Sequence, residues 1–316
     1  MLLALAAWPV TAWGQAAATT AGCTTEDALS EAAASLMLAG ARDPEAIARA
    51  LRQSGSDLPH VRLGIFPIDG DPRSWLAQLE DEAPLVCGRA SGPEQLWLLV
   101  GARGGGLVPT EEGFRVELAP GFSEARVAMR DAQGELLRVS VERGAVVQPP
   151  PHLQPPLQIQ LVATGGSGPR PLAVRYVGGR PLGRSVQGEG GPRARLRALR
   201  AARGVSELRD NRLLAREAAR HAAQVCRAGR ARHVLRANAD PEARLAARGI
   251  RARVVGEVVV RAASEEAAFD ALLGSPDHRM ALVDRRFTDV GIGRRRQGTG
   301  VCLVVTLAAW PRYVGR

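Results

Sequence analysis

Three polar side chains stand where their surroundings give them something to do: His233, Glu257 and His278. Glu257 interrupts the apolar run Val254-Val255-Gly256-Glu257-Val258-Val259-Val260, and on a strand it shares a face with Val255 and Val259. An ionised carboxylate on such a face is costly unless something pairs it. Glu257 therefore either accepts hydrogen bonds or lines a polar cavity; the plainer alternative is a rim residue on an exposed face. His278 follows Ser275-Pro276-Asp277. Serine is a good N-cap and proline suits the first helical position, so His278 belongs in the first turn of a helix. The positive end of the helix dipole disfavours a protonated imidazole there. A neutral imidazole can bind a metal or accept a proton; the plainer alternative is a histidine that caps or packs. His233 follows Gly-Arg-Ala-Arg, just past a predicted helix end, and taken alone it carries no signal.

Cysteine is the other reactive residue type. Cys23, Cys87, Cys226 and Cys302 allow three pairings. Locality favours Cys23 with Cys87 and Cys226 with Cys302. The first pair would staple a small segment with little core of its own. The second is open between a disulfide and two buried thiols, one on a helix and one in Val301-Cys302-Leu303-Val304-Val305. No Cys-x-x-Cys occurs, which disfavours a cysteine-based zinc site.

The elements that must position these groups are legible from periodicity. Helices are expected over 25–52, with a second one opening at Asp43, and over 75–79. From Gln95 the pattern changes to short strand-like runs (LWLLV, FRVEL, ARVAM, LLRVSV, LQIQLVA, PLAVRYV) separated by Gly, Pro and Asp-Ala-Gln-Gly turns. Strands at that spacing predict a β-sandwich. His152 lies in a proline knot and is expected to be exposed. Residues 178–192, rich in Gly, Pro, Arg and Ser, read as a linker. Beyond it come helices over 193–203 and 210–227, a third from Pro241 capped by Asp240, a strand over 251–260, a fourth helix capped by Ser264, a fifth opened by Ser275, and a closing β-hairpin.

Composition bounds the rest. The 316 residues are 46% hydrophobic but only 4% aromatic, so the cores rest on Ala, Val and Leu. The net charge of +10 would suggest an anionic partner. All 42 basic residues are Arg, however, and 32 acids are scattered among them. That is the imprint of a GC-rich coding bias, and nucleic-acid binding is disfavoured. The apolar run at 1–15, followed by Ala16-Ala17-Ala18, reads as a secretory signal lacking a positive n-region, or else as a buried N-terminal helix. It is shorter than the ~20 residues a spanning helix needs, and no transmembrane span is expected in the mature chain. Thr20-Ala21-Gly22-Cys23 looks a little like a lipoprotein box, but the apolar run ends too early, so lipidation of Cys23 is disfavoured.

The order of elements after residue 193 resembles a known family. Ala231-Arg232-His233-Val234-Leu235 stands where the CAP family (cysteine-rich secretory proteins, antigen 5 and pathogenesis-related proteins) has its first histidine. Gly256-Glu257 stands where it has Gly-Glu-Asn. SPDHRMALVDRRFTDVGIG, residues 275–293, is similar to the family's Ser-Pro-Gly-His-Arg and Phe-x-x-Val-Gly-Val-Gly. The resemblance implies an α-β-α sandwich about a three-stranded antiparallel sheet, and a cleft where His233, His278 and Glu257 converge. It also implies that His233 and His278 could hold a divalent metal such as Zn2+, with Glu257 as a catalytic base. Val258, Leu272 and Ala281 replace the family's Asn, Trp and Asn, and no second glutamate matches. The resulting expectation is an α+β chain: a signal-like segment (1–22), a small N-terminal helical region (23–90), a β-sandwich-like domain (91–180), a linker (181–192) and a CAP domain (193–316). Its expected role is that of a secreted or periplasmic binding module for a lipid, peptide or envelope polymer. The alternative is a metal-dependent hydrolase of envelope material.

Overall fold

The computed structural model describes residues 19–20, 22–79, 83–179, 190–235, 239–298 and 300–310. The signal-like run and most of the linker lie outside the described residues. The rest divides into two compact units, one reaching Ser56 and including His60–Ala102, the other formed by Asp57–Pro59 and the chain from Arg103 on.

The first unit contains β1 (Thr19–Thr20), β2 (Cys23–Thr25), α1 (Asp27–Ala39), α2 (Pro44–Gln53), β3 (Val61–Pro67), α3 (Arg73–Ala77), β4 (Leu85–Ser91) and β5 (Gln95–Ala102). Leu29, Ala32, Ala33 and Leu36 form the buried stripe of α1, which ends at left-handed Gly40. Asp43 caps α2 through the amides of Glu45 and Ala46. The helical segment expected before residue 90 is thus accompanied by a sheet of order β1-β2-β4-β5-β3. Its strands are hard to see in the sequence because Gly64, Pro67 and Gly88 interrupt them. LWLLV, assigned by pattern to the β-sandwich, is β5 of this sheet. The Cys23–Cys87 disulfide joins β2 to β4 with Cα atoms 5.8 Å apart.

The second unit begins with two sheets. β6 (Gly105–Pro109), β7 (Phe114–Leu118) and β10 (Val146–Val147) form one, in the order β10-β7-β6. β8 (Ser123–Arg130), β9 (Leu136–Ser140), β11 (Leu157–Gly165) and β12 (Gly168–Val177) form the other, in the order β12-β11-β8-β9. Buried Asp57 belongs here. Its carbonyl accepts the Val174 amide at 2.7 Å, and its carboxylate meets Arg103 and the Leu107 amide.

The C-terminal region comprises α4 (Pro192–Ala201), β13 (Arg209–Asp210), α5 (Arg212–Ala228), α6 (Pro241–Ala246), β14 (Val254–Ala262), α7 (Glu265–Gly274), α8 (Pro276–Leu282), β15 (Asp289–Gln297) and β16 (Gly300–Ala309). β14, β16 and β15 are the expected antiparallel strands, and β13 adds a short parallel edge beside β15. Alternation along β16 splits the core. Leu303, Val305 and Leu307 meet α4, α7 and α8 on one face, while Cys302 and Val304 meet α5 on the other. The Cys226–Cys302 disulfide ties α5 to that second face.

Two glycine placements explain the motif residues. A Cβ on Gly291 would sit 2.1 Å from the Ala215 amide nitrogen, and one on Gly293 would sit 2.1 Å from backbone atoms of Ala218 and Ala219. The i, i+2 glycines of Val-Gly-Ile-Gly therefore let α5 lie directly on β15. On the opposite face, the Phe287 ring occupies the space a Cβ on Gly256 would need, 2.5 Å from Cζ. The motif phenylalanine packs on the glycine that precedes Glu257.

Candidate functional site

Glu257 faces α5, between Val255 and Val259, and its side chain is 1% exposed. Burial alone would push its pKa up. The hydrogen bond from His233, and the charges of His233, Arg244 and His221, outweigh that and hold the carboxyl below the usual glutamate range. One oxygen, Oε1, accepts from His233 Nδ1 at 3.0 Å, with His221 Nε2 at 3.7 Å. The other, Oε2, accepts from the Arg244 guanidinium. The exposed-rim alternative for Glu257 is thus ruled out: both oxygens are engaged inside the domain.

Arg244, on α6, is the brace of this cluster. It also donates to the carbonyls of His233 (2.7 Å) and Ala239 (2.8 Å) and to Glu217 Oε1 (3.2 Å). Glu217, on α5, in turn accepts from Arg248 at 2.6 Å. His221, one turn beyond Glu217 on the same helix, is fully buried, and its Nε2 is 2.9 Å from the Arg232 carbonyl. A carbonyl only accepts, so Nε2 carries a proton. Burial pulls the His221 pKa down, against the opposing pull of Glu257. Glu217, His221 and Arg244 did not stand out in the sequence as members of the site. A signal existed for the first two: with Leu214, Ala218, Ala222 and Val225 they fall on the one buried stripe of α5. Arg244 carried no comparable signal among so many arginines.

His233 Nδ1 donates to a carboxylate, which orients the ring and, in the neutral imidazole, leaves Nε2 as the acceptor. The β11–β12 turn fixes the segment on either side: the Val234 amide donates to the Ser167 carbonyl at 3.0 Å, and Arg232 donates to Ser167 Oγ at 2.7 Å. His278 stands in the first turn of α8 as expected, with Ser275 as the N-cap.

His233, Glu257 and His278 line one cleft of about 540 Å3. It runs along the outer edge of β14, from Val255 to Val258, with α8 on one side and the His233 segment on the other. The β8–β9–β11–β12 sheet supplies a further wall through Arg126, Arg138, Gln160 and Val162. The anchor of that wall is Asp277. Arg126 grips its carboxylate at 2.9 Å through both Nε and Nη2, and Arg138 adds a contact at 2.9 Å. Gln160 Oε1 accepts from Ser275 Oγ (2.9 Å) and from the Asp277 amide (3.3 Å). Burial opposes ionisation of Asp277, but the two arginines hold its pKa below the usual range.

The donor set fits a metal poorly. Glu257 is committed to His233 and Arg244, which leaves two imidazoles. Among the described residues, no group of three or more His, Cys, Asp or Glu side chains is placed to hold an ion, whereas protein zinc centres use three or four ligands.

Residues 194–307 match the family model for the cysteine-rich secretory protein family, CAP. Similar solved structures include an outer surface protein from Borrelia burgdorferi, 19% identical, covering 37% of this chain and 87% of that one, with a TM-score of 0.35. An extracellular SCP-domain protein from Bacillus anthracis is 14% identical, covers 63% and 89%, and has a TM-score of 0.34. A cysteine-rich secretory protein from Staphylococcus aureus is 10% identical over 82% and 89%, with a TM-score of 0.29. No curated protein matches the chain.

Proposed function

From the premise that residues 194–307 are a CAP domain, we propose that this is an exported binding module whose cleft takes an extended chain, a peptide or an envelope polymer. The observation that carries the reading is the state of Glu257. A general base needs an oxygen free to take a proton within hydrogen-bond reach of substrate. Here one oxygen accepts from His233 and the other from Arg244. Glu257 is therefore a brace that aims His233 into the cleft. The outer edge of β14 supports an extended ligand, because an edge strand offers unpaired backbone groups to a chain laid beside it. Two disulfides and the signal-like run support export to an oxidising compartment.

The test is co-sedimentation of the full chain with purified cell-wall polymer, with release of soluble fragments measured in parallel. Retention without release is expected. Val234→Trp, which fills the cleft mouth, should lower retention at least tenfold. Metal-dependent release of fragments by the wild type, abolished by Glu257→Gln, would replace this reading with hydrolysis. The metal reading is tested separately by zinc titration: one equivalent bound by the wild type and lost in His233→Ala/His278→Ala would support it, and unchanged uptake in that variant would remove it.

A further inference from the structure

The cleft opposes the charge balance of the chain that forms it. The chain holds 42 basic residues and 32 acidic ones, whereas the cleft lining holds four arginines and six acids. Its arginines are engaged: Arg126 and Arg138 on Asp277, Arg286 on Asp284 at 2.7 Å, and Arg170 over the Phe122 ring at 4.9 Å. Among the acids, Glu257 is taken by His233 and Arg244, and Asp240 Oδ1 accepts the Ala243 amide at 2.8 Å as the cap of α6. Glu124, at the start of β8, and Glu242, in the first turn of α6, are different. Both are exposed, and neither has a hydrogen-bond or ion-pair partner among the described residues. Glu124 also holds a left-handed backbone, φ 47°. That conformation is costly for a non-glycine residue and gathers at ligand sites. His233 adds a neutral acceptor. It is only 9% exposed. Its Nδ1 is committed to Glu257, and in the neutral imidazole Nε2 is an acceptor without a partner among the described residues. The cleft thus offers three acceptors from three separate segments, two of them charged.

We infer that the chain taken by this cleft is a peptide bearing a lysine-type side chain, its ammonium group drawn by Glu124 and Glu242 and able to donate to His233 Nε2. An ammonium carries three N–H donors and no acceptor, so it complements carboxylates and a neutral imidazole. A cleft of one sign with low-dielectric walls concentrates ligands of the other sign. A peptide, rather than a sugar polymer, matches the outer edge of β14, because unpaired backbone groups on an edge strand pair with another backbone. The inference rests on the cleft being the binding site proposed above, and it adds the charge and the backbone of the occupant.

The experiment titrates the full chain, by fluorescence anisotropy, into a labelled heptapeptide with blocked ends and a central lysine flanked by alternating Ala and Val. Two counterparts carry acetyl-lysine or glutamate at the centre, and a chitosan oligomer supplies amines on a sugar backbone. The lysine peptide is expected to bind saturably, at least tenfold tighter than the acetyl-lysine peptide, with the glutamate peptide weaker still. Added salt should narrow the gap, since screening weakens exposed charges. The double variant Glu124→Gln/Glu242→Gln should bring the lysine peptide to the affinity of the acetyl-lysine one. Glu111→Gln, an exposed acid in the β6–β7 turn outside the cleft lining, should leave both affinities as they are. Equal binding of the lysine and acetyl-lysine peptides, lost in Val234→Trp, would overturn the cationic ligand and leave the binding cleft standing. Chitosan binding that the double variant abolishes, with no peptide bound, would overturn the peptide in favour of an aminated polymer. An equal loss in Glu111→Gln would assign the effect to the charge of the whole surface and overturn the site. Binding of every probe that Val234→Trp leaves unchanged would overturn the cleft itself as the place of binding.

Discussion

Glu257 and its neighbours make the buried polar cluster of the C-terminal region acid-sensitive, and the sign follows from the direction of each shift. The pKa of His221 lies below its ordinary 6.5 because of burial. As pH falls past that value, the unfolded imidazole takes up a proton before the buried one does, so stability starts to erode. Glu257 and Asp277 lie below their ordinary 4.5 and 3.8, each because ion-pair and hydrogen-bond partners outweigh burial. Their contribution is complete above those values and is lost as pH falls through the lower native ones. Urea midpoints should therefore decline from about pH 6.5 downward and fall more steeply below about pH 4.5. His221→Gln should flatten the upper part of that curve. A flat wild-type profile between pH 7 and 5 would contradict a neutral, buried His221.

At the scale of elements, the cluster depends on α5 lying close to the sheet. Glu217 and His221 reach Arg244 and Glu257 only because Gly291 and Gly293 remove the side chains that would hold the helix off β15. Gly293→Ala would place a methyl group 2.1 Å from the α5 backbone. Overpacking of this kind costs about 1–3 kcal/mol and more where backbone must move. The variant is expected at or beyond the upper end in chemical unfolding, with Gly300→Ala as a near-neutral control, since its Cβ would meet nothing closer than 3.6 Å. Equal stability of the two variants would show that α5 can withdraw without loss. The same logic explains the Gly256–Phe287 contact, through which the two halves of the motif support one another across β14 and the loop before β15.

At the scale of the molecule, the β region and the C-terminal region fall in one compact unit, and α8 packs against β14 of the C-terminal region and against β8, β9 and β11 of the β region. Asp277 stands where the resembling family has glycine. Here it gives the sheet an anchor for Arg126 and Arg138. Removing it leaves two arginines facing a mostly buried vacancy. Asp277→Ala should cost about 1.5–3 kcal/mol, the range for hydrogen bonds to charged groups. Hydrogen exchange should quicken in α8 and β9 while β3 and β5 of the first unit keep their protection. Unchanged exchange at β9 would show that the wall of the cleft is held by other contacts.

What the amino-acid order indicated alone was local: the helices and their caps at Asp240, Ser264 and Ser275, the strand around Glu257, the Cys23–Cys87 pairing favoured by locality, and the family motifs, whereas Cys226 and Cys302, open in the sequence between a disulfide and two thiols, are paired only by the structure. These follow from backbone geometry and period, which neighbouring residues set. Tertiary structure decided which groups meet the two Glu257 oxygens, because those partners come from 13 and 24 residues away. It also decided that LWLLV pairs with β3 and β4 rather than with the sandwich, and that Arg126, 151 residues from Asp277, walls the cleft. Periodicity carries no record of which strand edge or which of many arginines a distant group will meet; only the packed chain brings them into range.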